Sequence, residues 1–140
     1  MGIFGKLFGS KGSSSPYQTK AQFEANLARQ ISMTRKVLAQ HKEYEDRELR
    51  LEFFFYTNTS ENAEALNSKL VDLAYDSNFG RSADDPALFM TTGWTTPIRT
   101  NEATVISWIE TMCRLGFAHD AEFDSNRGAR KLAGPQRAQE

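Results

Sequence analysis

The hydrophobic pattern is densest at Leu51-Glu52-Phe53-Phe54-Phe55-Tyr56, followed by β-branched Thr57 and turn-forming Asn58. A period of two puts Leu51, Phe53 and Phe55 on one face and Phe54 and Tyr56 on the other. A strand with one wet face alternates apolar with polar, and this one does not. It therefore predicts a central strand covered on both faces. Ahead of it, Thr19 with Gln22 three residues on is a capping-box pattern. Phe23, Leu27, Ile31, Thr34 and Leu38, with Val37 beside them, continue at helical spacing, and Arg29, Arg35, Lys36 and Lys42 make the other side basic. This helix is predicted to end near His41, before the charged connector Lys42–Arg50.

Beyond the strand, Thr59 is placed to cap a helix with Glu61 in its first turn and Ala63, Leu66, Leu70 and Leu73 as its buried stripe. A short strand is expected over Ser77–Arg81, then a turn at Ala83-Asp84-Asp85-Pro86, then a strand over Ala87–Trp94. Thr100 is predicted to cap a third helix carrying Val105, Trp108, Ile109 and Met112, with Gly116 as its stop. Phe117–Asp124 then reads as a last strand, with His119, Ala121 and Phe123 on one face and Asp120, Glu122 and Asp124 on the other. The order after residue 50 is strand, helix, strand, strand, helix, strand. That predicts an α+β chain of ferredoxin-like βαββαβ form with an additional N-terminal helix. The Phe23–Leu38 helix is expected to cover the sheet face opposite the two later helices, with another protein chain as the alternative cover.

These boundaries divide the chain into residues 1–17, a flexible arm; 18–50, the helix and connector; 51–124, the main domain; and 125–140, a basic disordered tail. In the arm, Ile3, Phe4, Leu7 and Phe8 are interrupted by Gly2, Gly5 and Gly9, and Gly12-Ser13-Ser14-Ser15-Pro16 follows as a linker. It has no long apolar h-region, and Lys6 stands where an acylation pattern needs Ser or Thr, so neither a signal peptide nor myristoylation is expected. No apolar run approaches the roughly 20 residues of a transmembrane helix.

Charge changes this picture more than composition does. The chain carries a net −1, but residues 51–124 hold twelve acidic against four basic residues, a balance of −8, while residues 1–50 carry +4 and 125–140 carry +3. An acidic domain repels phosphate, so nucleic acid is disfavoured on an otherwise inviting aromatic sheet, which also lacks the Lys/Arg-Gly-Phe/Tyr signature of RNA-recognition motifs. A protein with a basic region fits better. Asp84, Asp85, Asp120, Glu122 and Asp124 are the candidate protein-binding residues. Catalytic patterns are weak: His41 and His119 stand apart in sequence, Cys113 falls on a helical core position, and nothing resembles a phosphate loop. No enzyme, cofactor or metal site is expected. The lone cysteine suits a reducing compartment, and a cytoplasmic location is expected.

The order Phe53-Phe54-Phe55-Tyr56-Thr57, Glu61-Asn62-Ala63 opening a helix, Thr92-Gly93-Trp94-Thr95-Thr96-Pro97 and Glu122-Phe123-Asp124 resembles the ribonuclease E inhibitor family, of the regulator of ribonuclease activity B type. The resemblance spans about Leu51–Asp124. It implies a small cytoplasmic bacterial protein that binds an endoribonuclease and lowers its activity without chemistry of its own. Two features depart from the family: Ser125-Asn126 stands where many relatives have Gly-Trp, and the chain ends in Arg127, Arg130, Lys131 and Arg137 rather than in an acidic tail. The alternative expectation is an RNA-binding or general protein-interaction module acting through the two basic arms.

Overall fold

The chain is built around β2, Glu52–Thr57, whose two edges are both paired. A computed structural model describes residues 16–125. In chain order the elements are α1 (Lys20–Gln40), a 3₁₀ turn (Lys42–Tyr44), β1 (Glu48–Leu49), β2 and α2 (Ser60–Asp72), followed by β3 (Asp76–Arg81), β4 (Phe89–Trp94), β5 (Ile98–Arg99), α3 (Glu102–Ala118) and β6 (Glu122–Phe123). The expectations made of the arm over residues 1–15 and of the tail over residues 126–140 lie outside the described residues. Among the described residues no helix is long and apolar enough to cross a membrane.

The protein is α+β. Its main sheet is antiparallel in the order β3-β4-β2-β6, and β1 pairs with β5 in a separate two-stranded ladder that the charged connector did not signal. In the main sheet Phe53 faces Gly93, Phe55 faces Thr91 and Thr57 faces Phe89, while Tyr56 faces Glu122 on the other side. Phe53, Phe55 and Phe123 turn to the helices and form the core with Leu66, Leu70, Val105, Ile109 and Met112. Gly93 is required by the β3 backbone: a Cβ there would lie 1.7 Å from the Asp76 carbonyl oxygen.

The first helix begins as its sequence predicts. Thr19 accepts from Gln22 N–H and the Gln22 side chain accepts from Thr19 N–H, a complete capping box. Thr59 likewise caps α2. The packing of α1 differs from expectation. Its apolar stripe lies against α3, where Phe23 stacks on Phe117 with centroids 4.6 Å apart, and not across the sheet face that carries Phe54 and Tyr56. The physical reason is that α3 has a second apolar side, Leu115 and Phe117, that the sheet leaves open.

Three local expectations are corrected around α3. Asn101, not Thr100, caps the helix, its Oδ1 accepting from Thr104 N–H at 2.9 Å; the Thr100 hydroxyl is engaged by the connector, accepting from Arg47 N–H. Gly116 does not stop the helix, which runs two residues further. The reversal falls on Asp120 at φ 54°, with Ala121 N–H bonded to the Gly116 carbonyl and Asp120 N–H to that of Phe117, the paired bonds of a Schellman motif. The last strand therefore shrinks from Phe117–Asp124 to Glu122–Phe123. Asp120 leaves it altogether.

Candidate docking surface

Alternation along β2 and β4 fixes what the second sheet face presents. Register sets three rows across it: Asp76, Trp94 and Glu52; Asn78, Thr92 and Phe54; and Gly80, Met90, Tyr56 and Glu122. Asp124 extends the middle row, its N–H bonded to the Phe54 carbonyl. An aromatic and thioether strip thus runs between carboxylates on both flanks. Arg50 closes one end, bonded through Nε to the Thr95 carbonyl and through Nη2 to the Asp76 carboxylate. Tyr56, Met90, Thr92 and Trp94 are half-buried, but Phe54 is only 4% exposed.

At the other end the candidate acidic residues gather about Tyr17. The Asp120 carboxylate accepts from Tyr17 N–H at 2.9 Å and from Gln18 N–H at 3.0 Å, and its backbone carbonyl accepts from the Thr57 hydroxyl at 2.7 Å. This carboxylate is an anchor for the chain entering α1, not a member of an acidic strand face. Glu122 lies 3.7 Å from Arg29 Nη2. Burial pushes the Glu122 carboxyl up, Arg29 draws it down and the neighbouring Asp124 raises it, with burial the largest effect. Burial first, then the charges of Glu122 and Asp85 and the groups of Tyr56 and Asp120, push the Tyr17 phenol up to about 12. The β3–β4 turn that carries Asp85 lies at the same strand end, beyond the Arg81–Phe89–Thr57 row next to that of Tyr56 and Glu122. That turn is held locally: Ser82 Oγ accepts from Asp84 and Asp85 N–H, and Asp85 Oδ1 accepts from Ala87 N–H. So Asp85, Asp120, Glu122 and Asp124 converge on one end of the sheet, with Asp84 exposed beside them.

Two polar residues that the hydrophobic pattern passes over organise this end. Asn26 Nδ2 donates to the Phe123 carbonyl at 2.9 Å, and Gln30 Oε1 accepts from Ser125 N–H at 2.7 Å. Gln30 Nε2 in turn donates to Asn26 Oδ1, and Gln30 is wholly buried. The pair satisfies the backbone around β6, an edge strand with only two residues in its ladder. Their signal was present: Phe23, Asn26, Gln30 and Thr34 share one helical face, and all four are buried. A groove beside them is lined by Tyr17, Gln18, Gln22, Ala25, Arg29 and Glu122, and Gln18 Oε1 is buried there with no hydrogen-bond partner among the described residues.

The remaining candidates are dispersed. Burial pushes the Cys113 thiol up to about 12, which withholds its nucleophilic thiolate. His41 Nδ1 lies 3.5 Å from Glu43 Oε2, and His119 caps α3 with Nδ1 3.1 Å from the Leu115 carbonyl oxygen. Among the described residues no group of three or more His, Cys, Asp or Glu is placed to hold a metal ion. What the fold defines is an α+β protein with a two-faced antiparallel sheet, one face packed by helices and the other aromatic with an acidic rim. The chain matches no protein-family model, no curated protein and no solved structure.

Proposed function

We propose that this protein is a non-catalytic regulator that docks a basic segment of another protein on its second sheet face. The observation that carries the reading is the strip of Phe54, Tyr56, Met90 and Trp94 between Asp76, Glu52, Glu122 and Asp124. Apolar and aromatic side chains supply a desolvated anchor, and flanking carboxylates select arginine or lysine and reject phosphate. The strand order β3-β4-β2-β6, with α2 and α3 joining the strands, supports a ferredoxin-like reading of the domain. Together with the motifs around Phe53–Thr57, Thr92–Pro97 and Glu122–Asp124, it favours a ribonuclease E inhibitor role in the cytoplasm, with an endoribonuclease as partner.

The test is a titration of the protein against a purified endoribonuclease of the ribonuclease E type at several salt concentrations. Tyr56→Ala with Trp94→Ala should weaken binding by about tenfold or more, as expected for central aromatic anchors. Glu122→Gln with Asp124→Asn should weaken it less and flatten its salt dependence. Unchanged affinity in both pairs removes the second face from the interaction. The basic arms supply the other reading, and an RNA gel shift lost on charge removal at Arg127, Arg130, Lys131 and Arg137 would favour it instead.

A further inference from the structure

The second sheet face has a strand-end neighbour in the chain itself. The backbone enters the described structure at residue 16, and Asp120 fixes the N–H groups of Tyr17 and Gln18 at the β6 end of the sheet. There Tyr17 lines one groove with Glu122, which shares a row of the second face with Tyr56. Residues 1–15 therefore start from the rim of that face. They carry Ile3, Phe4, Leu7 and Phe8 with Lys6 and Lys11, and no acidic residue. The face offers the complement, four apolar side chains flanked by Glu52, Asp76, Glu122 and Asp124.

Reach is sufficient. Four strands lie about 14 Å across from first to last. Extended chain spans about 3.3 Å per residue, so the seven residues from Ser15 back to Phe8 cover roughly 23 Å. Phe8 and Phe4 can then stand over the middle of the sheet. Phe54 points the same way. It faces away from the helices that bury Phe53 and Phe55 and lies outside the hydrophobic core they share, yet it is 4% exposed. Its cover comes from the other side.

We propose that residues 3–8 of the arm dock on the second face of their own chain, Phe4 and Phe8 on the Phe54–Trp94 strip and Lys6 and Lys11 toward its carboxylates. The arm is an internal ligand for this face. Only its consequence rests on the docking reading above: a partner that uses the face must displace the arm.

A nitroxide at position 10 (Ser10→Cys; Cys113 is buried) on the full chain tests the placement. Amide signals of Tyr56, Met90, Thr92 and Trp94 should lose most of their intensity, while Ala65 and Lys69 on α2 keep theirs. Phe4→Asp with Phe8→Asp in the same labelled chain should restore them. Undiminished signals at the second face, or loss that the two aspartates leave intact, overturn the proposal. Loss that appears equally when labelled chain is mixed with unlabelled, isotopically enriched chain also overturns it and makes a second copy the occupant. No partner enters this measurement, so its failure leaves the regulator reading standing, and failure of the partner titration leaves the arm's placement standing. Where both hold, the same two aspartates should tighten partner binding by about tenfold if the arm is seated nine-tenths of the time.

Discussion

Replacing Gln30 with alanine is the perturbation that tests most directly how α1 belongs to the domain. Gln30 is wholly buried, and its Oε1 accepts from the backbone N–H of Ser125, 95 residues away in sequence. Truncation leaves that buried N–H without its acceptor, a cost of about 1–3 kcal/mol. One buried methylene, Cγ, is lost as well, about 0.8 kcal/mol. Against this, a long side chain no longer has to be held in one rotamer, which returns up to about 1.5 kcal/mol, and alanine gains a few tenths as a helix former, about 0.3 kcal/mol. Asn26 Oδ1 keeps a donor, because Arg29 Nη2 also reaches it at 2.6 Å. The net loss is about 1 kcal/mol, a drop of roughly 3–5 °C in Tm for a domain of this size. Urea unfolding followed by far-UV circular dichroism should show a lower midpoint with an unchanged slope. Lys36→Ala, on the exposed side of α1, is the control and should stay within about 0.5 kcal/mol of the parent. If Gln30→Ala matches that control, α1 is not seated on the β6 edge as described.

Ala74 sits at φ 69° in the Schellman turn after α2, where a Cβ costs about 1 kcal/mol or more. Ala74→Gly should raise the urea midpoint by an equivalent of about 0.5 kcal/mol after the added freedom of the unfolded chain is counted, and a lowered midpoint would contradict the strain. Gly116→Ala should go the other way despite alanine's higher helix propensity of about 1 kcal/mol. Its Cβ would lie 2.8 Å from the Ala121 carbonyl oxygen and 3.0 Å from the Phe55 ring, so overpacking of about 1–3 kcal/mol dominates; a stabilised variant refutes the close approach. Tyr17 gives a pH signature. Below its unfolded value of 10.0 the phenol is neutral in both states, and between there and about 12 only the unfolded chain ionises. Tyr17 therefore contributes a loss of stability as pH rises through that window, and the difference between parent and Tyr17→Phe unfolding curves should grow only there.

Sequence legibility followed the range of the interaction. Caps are local, and Thr19, Gln22 and Thr59 do what their spacing predicts. The two-faced character of Phe53–Tyr56 was legible because alternation needs only the strand itself. The seat of α1 was not, because an apolar stripe announces burial without naming its partner. Asn26 and Gln30 were hidden for the same reason: polar side chains are read as wet unless the unsatisfied backbone they serve, here at Phe123 and Ser125, is known. Gly116 was misread in an instructive way. Glycine ends helices because it lacks a Cβ, but the same lack admits a neighbouring backbone, and the contact with Ala121 is settled only after the chain has turned back.

That turn also decides what the acidic residues can mean. Over an uninterrupted strand, Asp120, Glu122 and Asp124 would share a face and act as one charge patch. With Asp120 at φ 54° the patch separates by role. Asp120 holds two N–H groups at the start of α1, so removing its charge loosens the chain whether or not anything docks. Glu122 carries a carboxyl already pushed up by burial, so its neutral substitute relieves a desolvated charge and costs the fold nothing net. Mutating all three together would mix an anchoring defect with a docking defect, and weakened binding would have two causes. The surface is interrogated cleanly only by Glu122→Gln and Asp124→Asn with Asp120 left in place, because only then does lost affinity at unchanged stability report the partner's charge.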